Sequence, residues 1–192
     1  MLLRHWAHYY RARFLLLFRR YEAAAQAYRE ALAANPRFAL AAAALGYLLA
    51  TRGNHAQAAA AFREALEIQP GDAEIWFDLG YVQQQLGELE EALASFRRAV
   101  ELKPALDRAW FGMGLVLRAT HRIEKAIEAF DKAAELQPWN PHAYYELAMA
   151  HYALDNRSEV RRIIQRVSEF DPKMTRQLIQ ETGLLPERLE RR

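Results

Sequence analysis

His5 and His8 stand one helical turn apart, a spacing at which two imidazoles can share a metal ion when an acid completes the set. The first 21 residues contain no acid, so a solvated helix face is the simpler reading of this pair. Gly112-Met113-Gly114 supplies two glycines of a dinucleotide-binding loop, but the third is missing and no strand pattern precedes them. No glycine is followed by the Lys-Ser or Lys-Thr of a phosphate loop. Ser95, Ser158 and Ser168 lie in helical stretches with no histidine base nearby in the chain. Glu90, Glu91 and Glu124 fit the start of a helix, where the dipole favours negative charge. Without cysteine there is no disulfide, no thiolate zinc site and no cysteine nucleophile. The expectation is a protein that is not an enzyme, with no catalytic residues, no metal and no cofactor.

The composition shows what kind of element carries these residues. The 192 residues are 52% hydrophobic and 26% charged, as in a globular chain. Eight glycines and seven prolines are too few for the turns of an all-β protein, whereas alanine, leucine, arginine and glutamate favour helix. The net charge of +2 does not indicate nucleic-acid binding. It is unevenly spread: Arg4, Arg11, Arg13, Arg19 and Arg20 open the chain, leaving 21 basic against 24 acidic residues beyond them. Phe14 to Phe18 is a short apolar run between arginines, and the alanine-rich stretch Phe38 to Ala50 suits a buried helix better than a membrane span. The start of the chain lacks the apolar core and cleavage site of a signal peptide, so a cytoplasmic location is expected. Arginine far outnumbers lysine, a usage that fits a GC-rich bacterial genome.

Five prolines, Pro36, Pro70, Pro104, Pro138 and Pro172, recur every 34 residues. Other slots keep the same period. A small slot holds Ala24, Ala58, Ala92, Ala126 and Val160; a large one holds Tyr28, Phe62, Phe96, Phe130 and Ile164; a second small one holds Ala31, Ala65, Ala99, Ala133 and Val167. Ala12, Gly46, Gly80, Gly114 and Ala148 form another series, and Trp76, Trp110 and Tyr144 an aromatic one. Each unit reads as two helices, for example 73–86 and 89–102, with Gly87 between them where a left-handed residue is needed. Gly53 fills that role one unit earlier, and His121 and Asp155 fill it later. Leu89, Ala92, Leu93, Phe96, Ala99 and Val100 make an apolar stripe that one helix pair cannot cover, so units must stack.

This pattern resembles the tetratricopeptide repeat family. The unit 73–106 carries the likeness best, with Trp76, Leu79-Gly80, Ala92, Phe96 and Pro104; Gln83 departs from it where the family has tyrosine. The resemblance implies an all-α, right-handed solenoid of about five helix-turn-helix repeats, one continuous domain. Residues 1–38 form a degenerate basic first repeat, 39–174 four regular repeats, and 175–192 a capping helix and tail. Gly183 is expected just past the capping helix, and the tail Pro186 to Arg192 as a helical turn or frayed end.

The resemblance also implies a scaffold or adaptor that holds a peptide or partner protein in a concave groove lined by the first helix of each unit. Spacing on one helix face brings together Leu40, Ala43, Tyr47 and Ala50; Glu74, Phe77, Tyr81 and Gln84; Arg108, Phe111, Leu115 and Arg118; and His142, Tyr145, Met149 and Tyr152. The candidate binding residues are Tyr47, Phe77, Tyr81, Gln84, Arg108, Phe111, Arg118, Tyr145, Met149 and Tyr152. Packing of the same rings against each other is the competing reading. Arg108 and Arg118 would supply specificity, balanced by Glu74 and Asp78. Family members that clamp chaperone tails use lysines and asparagines here, and Tyr47, Asp78, Tyr81, Glu146 and Met149 do not fit that role.

The first helix is both basic and aromatic. Trp6, Tyr9, Tyr10, Arg13 and Phe14 could fold over the second repeat, dock a partner or a second copy, or touch an anionic membrane surface, the last being the least favoured. Self-assembly through this helix or the solenoid ends is the alternative function.

Overall fold

Three slots of each second helix explain why the helices pair. At small–large–small spacing, the fifteen residues from Ala24, Tyr28 and Ala31 to Val160, Ile164 and Val167 are each no more than 2% exposed. The alanines let a partner helix approach and the ring between them fills the gap. The computed structural model describes residues 3–186, which form eleven α-helices and no strand. They are α1 (Arg4–Leu17), α2 (Tyr21–Ala34), α3 (Ala39–Thr51), α4 (His55–Ile68), α5 (Ala73–Leu86), α6 (Leu89–Leu102), α7 (Asp107–Ala119), α8 (Ile123–Leu136), α9 (Pro141–Ala153), α10 (Arg157–Val167) and α11 (Pro172–Thr182). The helices expected over 73–86 and 89–102 match α5 and α6.

The described chain divides into two compact units, one ending at Lys103 and the other beginning at Pro104. In the first, α1 packs on α2, α3 on α4 and α5 on α6, and α2–α3 and α4–α5 contacts join the pairs. Its core runs from Tyr9 and Ala12 through Tyr28, Phe62 and Val82. In the second, α7 packs on α8, α8 on α9 and α9 on α10, while α11 lies against α9 and α10.

Local chemistry sets the helix ends. Gly53 and Gly87 have φ of 77° and 79°, and His121 and Asp155 adopt the same left-handed region at 59° and 57°. Arg19, one period before Gly53, does so too, at 54°. Asp72 accepts from the Glu74 and Ile75 amides, Asn140 from His142, and Asp171 from Lys173 and Met174, each capping the helix it precedes. Trp76 Nε1 donates to the Pro70 carbonyl at 2.9 Å and Trp110 Nε1 to Pro104 at 2.8 Å, so the repeating Trp and Pro slots are tied to each other. At Gly46, Gly80 and Gly114 an added Cβ would lie 2.7, 2.8 and 2.5 Å from the rings of Phe62, Phe96 and Phe130. Gln83, the departure from the family pattern, accepts from Ser95 Oγ at 2.6 Å, and both side chains are buried.

α11 is the expected capping helix, with Gly183 left-handed at its end. Residues 187–192 of the expected tail lie outside the described residues. Among the described residues no helix is long and apolar enough to cross a membrane.

Candidate protein-binding surfaces

In the first unit, the outward face of α3 lines an open cleft of about 480 Å³. Leu40, Ala43, Ala44, Tyr47, Leu48 and Thr51 come from α3, Leu16 from α1, Tyr21 and Tyr28 from α2, and Asp78 from α5. Leu40 and Tyr47 are 48% and 63% exposed, large apolar surface for a position that a core would normally bury. Tyr21 is already partnered on one face, with the Arg52 guanidinium 4.6 Å from its ring centre. Asp78 is the only charged side chain of the lining. Burial pushes its carboxyl up to about 6, with a smaller push from the like charge of Asp72. Among the described residues no side chain hydrogen-bonds or ion-pairs with it.

The rest of the predicted face on this unit is mixed. Tyr81 is exposed and Gln84 half-buried. Phe77 is half-buried, its ring 5.9 Å from that of Phe96, so it is partly committed to the fold. Glu74 takes Lys103 Nζ at 2.7 Å.

In the second unit, several tips of the predicted face are satisfied internally. Arg118 Nη1 lies 3.0 Å from Glu146 Oε2, an ion pair without hydrogen-bond alignment. Burial still holds the Glu146 carboxyl above its usual range, against the pull of Arg118 and then His142. Tyr145 Oη donates to Glu181 of α11 at 2.7 Å, which raises the phenol and lowers the carboxylate. Phe111 is half-buried, with its ring 5.8 Å from that of Phe130. Arg108 and Tyr152 are exposed and Met149 is half-buried. Arg118 is therefore engaged with Glu146.

The first helix divides the same way. Tyr9 is buried, and Trp6 is half-buried with its ring 4.7 Å from that of Phe38, so these two belong to the core of the first unit. Tyr10, Arg13 and Phe14 face outward. An acid does reach His8, from α2 rather than from its own helix: Glu30 Oε2 is 3.0 Å from His8 Nδ1 and 3.0 Å from Arg11 Nη1. Among the described residues no three metal-type ligands gather.

Leu16, Tyr21 and Tyr28 do not follow from spacing on one helix face, because they reach the cleft from a different helix pair. In the sequence Asp78 reads only as a balancing charge. The signal available was its slot, which holds Ala44 one period before it and Glu146 two periods after it.

Comparison with known proteins extends this picture. Tetratricopeptide repeat models match residues 3–37, 11–73 and 44–107, and a second such model matches 117–178. No curated protein matches the chain in sequence. Among solved structures, a crystal structure of MamA protein superposes with a TM-score of 0.84 at 21% identity, over 96% of this chain and 98% of that one. YrrB, described as a TPR protein with an unusual peptide-binding site, gives 0.79 at 22%, over 92% and 91%. PilF of Pseudomonas aeruginosa gives 0.75 at 22%, over 93% and 84%. At these identities the likeness is one of fold, and it agrees with the helix pairs and period described above. The all-α repeat architecture, the recurring slots and the matched models together make this chain a member of the tetratricopeptide repeat family.

Proposed function

We propose that this chain is a non-catalytic scaffold or adaptor that holds a peptide or a segment of a partner protein. The observation that carries this reading is the open apolar cleft of the first unit, where Leu40 and Tyr47 stand exposed beside a deeper lining. A surface of this kind is stable only at the cost of keeping apolar area in water, a cost that binding removes. The peptide-binding site named for YrrB is consistent with the reading, and membership of a repeat family used as interaction scaffolds supports it. On this reading Tyr81 and Gln84 in the first unit and, separately, Tyr152 in the second are further contact residues.

The test is selection of a displayed library of random twelve-residue peptides on the immobilised chain, with Leu40→Ser/Tyr47→Ala as the comparison. A peptide family enriched on the wild type and lost on a folded double variant supports the reading. Absence of any enriched family overturns it.

A second reading rests on α1 and the residue that ends it, where Tyr10, Phe14, Leu17 and Phe18 are between 57% and 78% exposed beside Arg11 and Arg13. Such a face can cover a second copy of the chain. Sedimentation across a hundredfold concentration range decides it: a constant monomer mass removes this reading.

A further inference from the structure

Asp78 and Glu146 occupy the same slot of the repeat, two 34-residue periods apart. Each sits on the first helix of its unit and each is half-buried. Glu146 is met by Arg118, which comes from the preceding first helix at 3.0 Å. The position that corresponds to Arg118 two periods earlier is Ala50. An alanine has no charge and no reach, so Asp78 faces the cleft without the cation that its counterpart has. Asp78 itself lines the open, largely apolar cleft of about 480 Å³. A carboxylate at an apolar wall, with no internal partner, is costly to keep unless something outside pairs with it.

We propose that the cleft of the first unit takes a peptide segment presenting a lysine or arginine between apolar side chains, with the basic group on Asp78 and the apolar neighbours against Leu40, Tyr47 and Leu16. The inference rests on the binding reading given above and assigns the chemistry of the partner. Charge complementarity selects the occupant: the lining holds one negative charge and no positive one. Lysine and arginine also suit the shape, because their aliphatic stems cover apolar surface while the charged end reaches a polar group. Arg52, the residue that follows α3, is stacked on Tyr21, itself part of the lining. Beside burial, the like charge of Asp72 pushes the Asp78 carboxyl the same way.

The same library selection separates this inference from the reading beneath it. On the wild type, enriched peptides should carry a basic residue flanked by apolar ones. On Asp78→Asn the apolar residues should persist and the basic preference should vanish. Ala50→Arg supplies in the first unit the pairing seen at Glu146 and should likewise abolish the basic preference. One enriched peptide, synthesised with its basic residue or with norleucine in its place, should bind the wild type at least tenfold tighter in the basic form by fluorescence anisotropy. On Asp78→Asn the two forms should differ by less than threefold. Circular dichroism checks that each variant is folded, and Asp78→Asn, which removes a charge without changing shape, keeps the test decisive if Ala50→Arg does not fold. Enriched apolar peptides with no basic residue, or a basic preference that survives Asp78→Asn, overturn the assignment and leave the binding reading standing. No enriched peptide at all overturns both.

Discussion

At the scale of single residues, two positions carry opposite kinds of tension. Gly80 is set by packing: a Cβ there would stand 2.8 Å from Phe96 Cδ1, inside any tolerable contact. Alanine is the better helix former by about 1 kcal/mol, but overpacking a filled core costs about 1–3 kcal/mol, so Gly80→Ala should be a net destabilisation. A lower urea midpoint with an unchanged slope would report it. Asp78 is set by electrostatics. Its folded-state carboxyl titrates at about 6 instead of 3.8, so the folded chain binds a proton that the unfolded chain has already released. Stability conferred by the neutral form is complete below about pH 4, is lost as pH rises toward 6, and stays lost above that. Asp78→Asn should remove this slope and, at pH 7, raise stability by about 1–2 kcal/mol after allowance for solvent screening at the open cleft. Denaturation of both proteins between pH 4 and 7 checks it; a wild type whose stability rises over that range contradicts the burial account. A residue whose removal stabilises the free protein is one that its fold does not need.

At the scale of elements, helix ends and helix pairs follow different rules. The ends are local. The turns between paired helices need one left-handed residue every 34 positions, and the chain supplies Arg19, Gly53, Gly87, His121 and Asp155 in turn. The pairs depend on what arrives from elsewhere. α11 is an example: beyond its apolar contacts it is held by the bond from Tyr145 Oη to Glu181 Oε2, a carboxylate whose other oxygen, Oε1, accepts from Gln177 Nε2 of the same helix at 3.0 Å. Tyr145→Phe keeps the ring and deletes the donor. Amide hydrogen exchange within α11 should then quicken while exchange in α7 and α8 stays as it was; equal rates in both proteins would mean that the tether adds nothing. On this account Tyr145 serves the cap of the second unit, a role that spacing along one helix does not reveal.

At the scale of the molecule, the basic first segment is part of the fold of its unit. Tyr9 and Ala12 are buried against α2, and Trp6 and Tyr9 meet Phe38 beyond it. Deleting residues 1–20 exposes Ala24, Tyr28 and Ala31, so the shortened chain should lose helical signal and unfold several degrees lower, or fail to fold its first unit. Thermal melts followed by circular dichroism decide this, and a shortened chain with unchanged melting would make α1 a pure docking arm. By itself, the sequence determined the period, the helix borders, the left-handed turns and the small–large–small slots, because each is a local demand repeated at constant spacing. It could not say which ionic and aromatic tips remain available. Arg118 is taken up by Glu146 and Tyr145 by Glu181, while Asp78 is left facing a cleft built from α1, α2, α3 and α5. Those outcomes depend on which side chains meet from different helices, and only the tertiary structure brings them together.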